Sequence, residues 1–438
     1  MNNSISNMNE LIDQGSVTSQ QILVIVLCFI FNMLDGFDIT AMAVVASSVS
    51  QDLDLTDALL GWIFSFALAG MMFGAMVLAP IADIIGRRAL IILSLLLVGV
   101  SILLTARADS LTLFIILRFI SGMGAGALLA CQASLAAEYS PEKYRALSVA
   151  LVTAGYPTGA MMTSVIGGLI LPDYGWRSMF IFGGIITLGM VLVAWLMIPE
   201  SLKYLIEKRP VNALQKINKI LQKLKQIPID VLPELSKSYS SKTSLLGNMK
   251  MLLSSKYRRL SLTLWTSFFC AFATLYFLMS WIPKLMENAG YDMAAGRNAF
   301  FLFNMGGVIG IYLLGYLSIK WKLTNLIFNL SIASAISMIA FAMAPNDLNI
   351  LLILIVMIGI LQQSAFTGLY GVAAKAYPTE IRSTGVGWAI GLGRTGAVVG
   401  PALAGYLILA GYDMSANFIF FSIPMIVCGF IAYRLHVD

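Results

Sequence analysis

Twelve long apolar stretches dominate this chain and leave few folds open to it. They run over about 21–46, 58–82, 89–106, 111–137, 146–171 and 177–198, then 260–285, 297–319, 323–344, 348–374, 382–409 and 414–435. About 20 apolar residues cross the hydrocarbon core of a bilayer as a helix. Within that core each backbone amide needs a partner in its own segment, which favours helices for runs of this kind. Of the 438 residues 59% are hydrophobic and 11% charged, against about 25% charged in a soluble domain. The expectation is an all-α membrane protein of twelve transmembrane helices with the lipid bilayer as its solvent, not a soluble enzyme with one anchor.

The loops alternate in charge. One side carries Arg87, Arg88, Lys143, Arg145, Lys320, Lys322, Lys375, Arg382 and Arg434, together with thirteen Lys and Arg in the 199–259 segment. The other side carries Arg107, Arg177, Lys284 and Arg297. The positive-inside rule then predicts that both termini and the 199–259 segment are cytoplasmic. The first twenty residues hold no Lys or Arg, so no cleaved signal peptide is expected. The chain divides into a tail (1–20), six spans (21–198), a cytoplasmic linker (199–259), six further spans (260–435) and a tail (436–438). Within the linker, Leu214, Ile217, Leu221 and Leu224 share a helix face, with Lys216, Lys219, Lys223 and Lys225 interleaved. That helix either lies solvated beneath the bundle or touches anionic lipid.

The halves repeat at an offset of 237 residues. Pro141-x-x-x-Arg145 then meets Pro378-x-x-x-Arg382, Gly122 meets Gly359, Gly159 meets Gly396 and Gly168 meets Gly405. Such symmetry marks secondary transporters that rock two bundles about a central site, so two pseudo-symmetric six-helix bundles are expected. Gly70/Gly74, Gly122/Gly126, Gly155/Gly159 and Gly396/Gly400 allow close helix approach. Cys28, Cys131, Cys270 and Cys428 lie far apart in apolar runs and read as core residues, and the only histidine, His436, is in the tail. No metal site, phosphate-cradling glycine loop, nucleophile triad or nucleic-acid element is legible. No cofactor is expected beyond a coupling proton, and the expected state is a monomer.

Several motifs carry a family resemblance. Asp83-Ile84-Ile85-Gly86-Arg87-Arg88 and Arg118-Phe119-Ile120-Ser121-Gly122-Met123-Gly124-Ala125-Gly126 resemble signatures of the major facilitator superfamily. Ala79 stands where the first signature usually has Gly, and its second-half copy is eroded to Gly315, Ile319 and Lys320-Trp321-Lys322. Pro199-Glu200-Ser201 resembles the end of span six in sugar-porter-like members. Asp35-Gly36-Phe37-Asp38, Tyr276 to Pro283 and Tyr377 to Arg394 are similar to the aromatic acid:proton symporters. The resemblance implies the major facilitator fold, a small aromatic carboxylate as substrate and a bacterial inner membrane as location.

Asp35, Asp38, Arg118 and Arg394 are the ionisable residues deep in the spans, and buried membrane charges default to function. Asp38 lies about 8 residues (~12 Å) below the outer end of span one, and Arg118 about 7 residues (~10 Å) down span four. Arg394 lies about 12 residues (~18 Å) up span eleven. Asp38 is therefore expected to face Arg118 in a proton-coupling group with Asp35. The alternative is a static pair pinning spans one and four. Asp35 is a second proton site, or bonds the span-five backbone or Tyr156. Arg394 is the expected carboxylate ligand, its fork suiting bidentate contact; the alternative is a pair with Asp35. Phe268, Phe269, Tyr276, Phe277, Trp281, Phe366, Tyr370 and Trp388 are candidate ring contacts, and Asn304, Gln362, Gln363, Thr153 and Tyr156 are polar candidates. Asp83, Arg87, Arg88, Glu138, Arg145, Glu380 and Arg382 read as inter-helix salt bridges closing a cytoplasmic gate. The leading function is proton-coupled import of a small organic acid. A proton antiporter exporting drugs or metabolites is the rival, which Arg394 disfavours for cationic cargo. A transport-dead sensor would need a signalling domain that a linker of this length does not provide.

Overall fold

The computed structural model describes residues 17–232, 251–377 and 381–435. Among the described residues twelve helices are long and apolar enough to cross a membrane. They are α1 (Ser19–Asp52), α2 (Asp57–Ile85), α3 (Arg87–Thr105), α4 (Leu111–Tyr139), α5 (Glu142–Tyr174) and α6 (Arg177–Met197). After the linker come α7 (Arg258–Asn288), α8 (Met293–Leu317), α9 (Leu323–Met343), α10 (Leu348–Ala376), α11 (Arg382–Leu409) and α12 (Met414–Tyr433). Each overlaps an expected span. The largest difference is at the end of α1, which runs six residues past its apolar run to Asp52. Contacts rather than hydropathy set that end: Asp52 accepts hydrogen bonds from Trp176 Nε1 at 3.1 Å and Arg177 at 2.6 Å.

Within the first bundle α1 packs on α5, α2 on α4, and α3 on α4 and α6. The second bundle repeats this, with α7 on α11, α8 on α10, and α9 on α10 and α12. Glycines set these contacts. A Cβ on Gly159 would collide with Met33 O, and one on Gly396 with Phe269 O. Gly122 lies against Ala67 O, and Gly359 against Phe303 O. These are small-residue seams that let helix backbones approach in lipid. In α2 a π-helical turn over Gly74–Leu78 precedes Pro80. Pro80 has no N–H to offer the preceding turn, and the helix widens there.

The bundles meet along α2–α11 and α5–α8, with α1 against α7 between them. At the end remote from the linker the seam is tight. Ser65 donates to Val398 O at 2.6 Å, Trp62 Nε1 to Tyr406 Oη at 3.1 Å, and a Cβ on Gly61 would lie 2.8 Å from Pro401 O. Toward the linker the seam opens. Gly387 on α11 is exposed, and a Cβ there would meet nothing within 4 Å; Thr153 is also exposed, on the face of α5 opposite the exposed Leu151 and Leu169. Farther along that inner face Ala160 is fully buried.

Two short linker helices, Leu202–Lys208 and Ala213–Lys223, lie under the first bundle. Ile217, Leu221 and Leu224 are buried in one apolar cluster with Leu90, Leu135 and Tyr139. The apolar face of the linker helix is thus covered by protein rather than lipid. The lysines stay outside because only the apolar stripe can be buried without charge desolvation.

Candidate functional site

The first bundle holds three of the four buried charges among the described residues. Gly36, between Asp35 and Phe37, lies against Tyr156 O and brings α1 onto α5. Three and six residues on from Asn32, Asp35 and Asp38 continue one stripe of α1. Arg118 on α4 faces that stripe. Its Nη2 lies 2.8 Å from Asp38 Oδ1, its Nη1 donates to Asp38 O at 3.2 Å, and both side chains are buried. The guanidinium is also 5.1 Å from the Phe180 ring centroid. A cation this deep is tolerable only because the carboxylate and ring compensate it. Asp35 is different. Its two oxygens are buried with no hydrogen-bond partner among the described residues. It therefore makes neither the bond to the α5 backbone nor the bond to Tyr156 that were weighed above. Its field is shared with Asp38 on the same helix and with Arg394 across the bundle interface.

The second bundle holds the rings. Phe272 stacks on Tyr276 at 6.0 Å and meets Phe366 edge-on at 4.8 Å. Tyr370 meets Phe268 at 5.2 Å and Phe366 at 5.4 Å. Arg394 lies against this group, its Cζ 5.6 Å from the Phe272 centroid. It is 8% exposed and, among the described residues, forms no ion pair. The expected pair with Asp35 is therefore not formed here. The Tyr156 hydroxyl lies against Tyr276 across the interface without a well-aligned hydrogen bond. A guanidinium without an ion pair among the described residues, beside aromatic faces, is chemically suited to a carboxylate on a flat ring.

Several expected ligands are elsewhere. Gln362 accepts from Ser334 Oγ at 3.1 Å and donates to Ala271 O at 3.2 Å, so both ends of its amide tie α10 to α9 and α7. Trp388 is half-buried and, at about 100° per residue, points within about 20° of the exposed Val399, away from Arg394. Phe277 stacks on Phe421 at 4.0 Å, and Trp281 Nε1 donates to Pro401 O at 3.0 Å. Asn304 is buried, donates to Phe300 O at 2.9 Å, and leaves its Oδ1 without a donor among the described residues. Phe272, central to the rings, was not singled out from the sequence. Its signal was the spacing Phe268, Phe272, Tyr276, one helix face at intervals of four.

The described bonds of the expected gate residues lie within the first bundle and the linker start. Arg87 pairs with Glu138, and Ser201 Oγ donates to Glu138 Oε2 at 2.6 Å. Glu200 Oε1 accepts from Arg88 N at 3.0 Å and Ser201 N at 2.9 Å, while the Arg88 guanidinium donates to Trp195 O. Arg145 Nε donates to Ala137 O at 3.2 Å, and Asp83 is exposed. The described bonds of Arg87, Arg88 and Glu138 join α3, α4, α6 and the linker start, all on one bundle. They clasp the linker to the first bundle, and none of these described bonds reaches the second bundle. Glu380 and the Arg382 side chain, like His436, lie outside the described residues.

Comparison with known proteins gives a consistent result. The family model described as Major Facilitator Superfamily matches residues 28–344 and 298–438. The chain is 31% identical to the benzoate transport protein of Acinetobacter baylyi, over 96% of this chain and 91% of that protein. It is 31% identical to the 4-hydroxybenzoate transporter PcaK of the same organism, over 91% and 87%. Its fold superposes on a partially occluded inward-open conformation of the xylose transporter XylE from E. coli. The TM-score is 0.76 at 14% identity, covering 96% of this chain and 98% of that one. Twelve helices in two repeating bundles, the glycine seams and the family match agree, and the chain belongs to the Major Facilitator Superfamily.

Proposed function

We propose that this protein carries a small aromatic carboxylate together with a proton, inward across a bacterial inner membrane, by alternating access. Arg394 is the observation that carries this reading: a buried guanidinium without an ion pair among the described residues, beside Phe272 and within a group of five rings. The carboxylate would take the fork of Arg394, and its ring would lie among Phe272, Tyr276, Phe366 and Tyr370. Relatives named for benzoate and 4-hydroxybenzoate transport support the aromatic class.

Asp35 and Asp38 are the groups we assign to the proton. Asp38 already has Arg118 as a counter-charge, so Asp35, which has none, is the acid whose charge changes most readily with its surroundings. Substrate bound at Arg394 would cancel the cation that favours ionised Asp35, and a proton would follow. The loaded site is then nearly neutral and can cross between the two access states. Loop charge puts the termini and linker in the cytoplasm, so the opening toward the linker would be the inward-facing state. No cofactor enters this scheme, and one chain suffices for it.

Reconstitution tests it. Vesicles containing the purified protein should accumulate labelled benzoate or 4-hydroxybenzoate above equilibrium when an inward proton gradient is imposed. Uptake that levels off at equilibrium under the gradient would refute the coupling. No uptake of any aromatic acid in a labelled panel would refute the substrate class.

A further inference from the structure

The amide pair Asn32–Gln132 has no part in the site as described so far. On α5, Pro157 has no N–H, so Thr153 O lacks its usual partner within the helix. Asn32 on α1 supplies one: its Nδ2 donates to Val152 O at 2.7 Å and to Thr153 O at 3.3 Å. Carbonyls only accept, so these contacts fix which way the Asn32 amide faces. Its Oδ1 accepts from Gln132 Nε2 on α4 at 2.9 Å. That contact fixes Gln132 in turn and leaves its Oε1 as a bare acceptor. Both side chains are 0% exposed, and Gln132 Oε1 has no donor among the described residues. A buried acceptor left in this state is destabilising, because its lost hydration is not replaced.

Asp35 is the next polar residue along this stripe of α1, one turn from Asn32. Its two oxygens are buried acceptors without donors as well. While Asp35 is ionised, its oxygens and Gln132 Oε1 are all acceptors, with no hydrogen to pass between them. Protonation of Asp35 creates one O–H. We infer that Asn32 and Gln132 are positioning residues for the transported proton: Gln132 Oε1 receives the hydrogen of neutral Asp35, directly or through one bridging water, and holds the loaded state. The inference rests on the proton-coupled reading of Asp35. The other groups in the field of Asp35 are Asp38 on α1, itself paired with Arg118 of α4, Tyr156 on α5, and Arg394 on α11. Tyr276 on α7 completes the set. Arg394 favours the carboxylate, while the amide acceptor and Asp38 favour the acid. Neutralising Arg394 with a substrate carboxylate would leave the balance to the amide.

The test is the pH dependence of gradient-driven benzoate uptake by reconstituted protein. Gln132→Met keeps the volume and removes the acceptor. Its uptake midpoint should move about one pH unit toward acid, a unit corresponding to ~1.4 kcal/mol, with benzoate affinity at low pH unchanged. Gln132→Asn, one methylene shorter, should move it in the same direction and serves if the Met variant does not fold. In an Asp35→Asn background Gln132→Met should leave benzoate exchange unaltered. A folded Gln132→Met with the wild-type midpoint would overturn the inference. So would equal slowing of exchange with and without Asp35, since that marks a purely structural role. Wild-type uptake indifferent to the gradient would instead refute the proton-coupled reading itself.

Discussion

In the first bundle Gly159 lies against Met33 O; in the second, Gly396 lies against Phe269 O. Backbone packing of this kind recurs at nearly the same offset, 237 residues, yet the side chains facing the centre do not repeat. At that offset Asp35 corresponds to Phe272, Asp38 to Leu275, Arg118 to Ile355 and Pro157 to Arg394. Each charged position in one half meets an uncharged position in the other. Glycine contacts are steric and serve both halves alike. Centre-facing side chains only have to fill the interface and are free to specialise. On the proposed reading the first bundle would handle the proton and the second a flat anion, with Asp35 in the field of Arg394 across the interface. Proton and substrate would then be held by different bundles, and rocking of one bundle on the other would change their separation.

The largest effect should follow from removing charge in the first bundle. Asp38→Asn leaves Arg118 buried without its counter-ion, a loss of about 3–5 kcal/mol for a broken buried pair. Accumulation against a gradient should disappear in vesicles. Gradient-driven accumulation at the wild-type level in this variant would show that the ionic half is only a brace. In the second bundle, Arg394→Ala should weaken carboxylate binding by about 2–5 kcal/mol, as for loss of one partner of a desolvated pair. Isothermal titration with benzoate measures this directly. Arg394→Lys, which keeps charge but not the fork, should recover only part of the loss. If Arg394→Ala binds as wild type does, the carboxylate is held elsewhere and the division of labour fails.

How much of this division the sequence reveals depends on what kind of signal each residue leaves. Spans are read from hydropathy, which is a sum over about 20 residues and tolerates single exceptions. Asp38 and Arg118 were legible as partners because charges in an apolar run are rare and their depths could be compared. The apolar end of span one is not the helix end, since α1 continues to Asp52, and the long Arg118 side chain still reaches Asp38. Gln362 and Trp388 were misread because depth says nothing about direction. One turns its amide to Ser334 and Ala271, and the other lies on the outward face of α11. Phe272 was hidden among 24 phenylalanines, where identity alone selects nothing. Of the expected gate residues, Arg87 and Glu138 form an inter-helix salt bridge within the first bundle, a pairing of directions that hydropathy does not encode.

The glycine seams should respond alike in both halves. Gly159→Val and Gly396→Val each force a side chain against a backbone carbonyl, and overpacking typically costs about 1–3 kcal/mol. Thermal unfolding of the purified variants should show losses within a factor of two of each other. A loss confined to one variant would mean that the repeat is an accident of spacing rather than a shared packing plan.

The smallest effect separates ring recognition from everything else. Phe272 contacts Tyr276, Phe366 and the Arg394 guanidinium, so Phe272→Leu keeps an apolar wall and removes only the aromatic part of each contact. Aromatic pairs contribute about 0.5–1.5 kcal/mol beyond the area they bury. Preference for benzoate over cyclohexanecarboxylate, which has the same carboxylate on a saturated ring, should fall by roughly 2–10-fold on that scale. Competition binding with the two acids reads the ratio. The pH dependence of uptake should not move, because Asp35 and its neighbours in the first bundle are untouched. A shift in the pH profile without a change in ring preference would reverse the assignment: the position that the repeat pairs with Asp35 would then belong to the proton, and the rings of the second bundle would be packing alone.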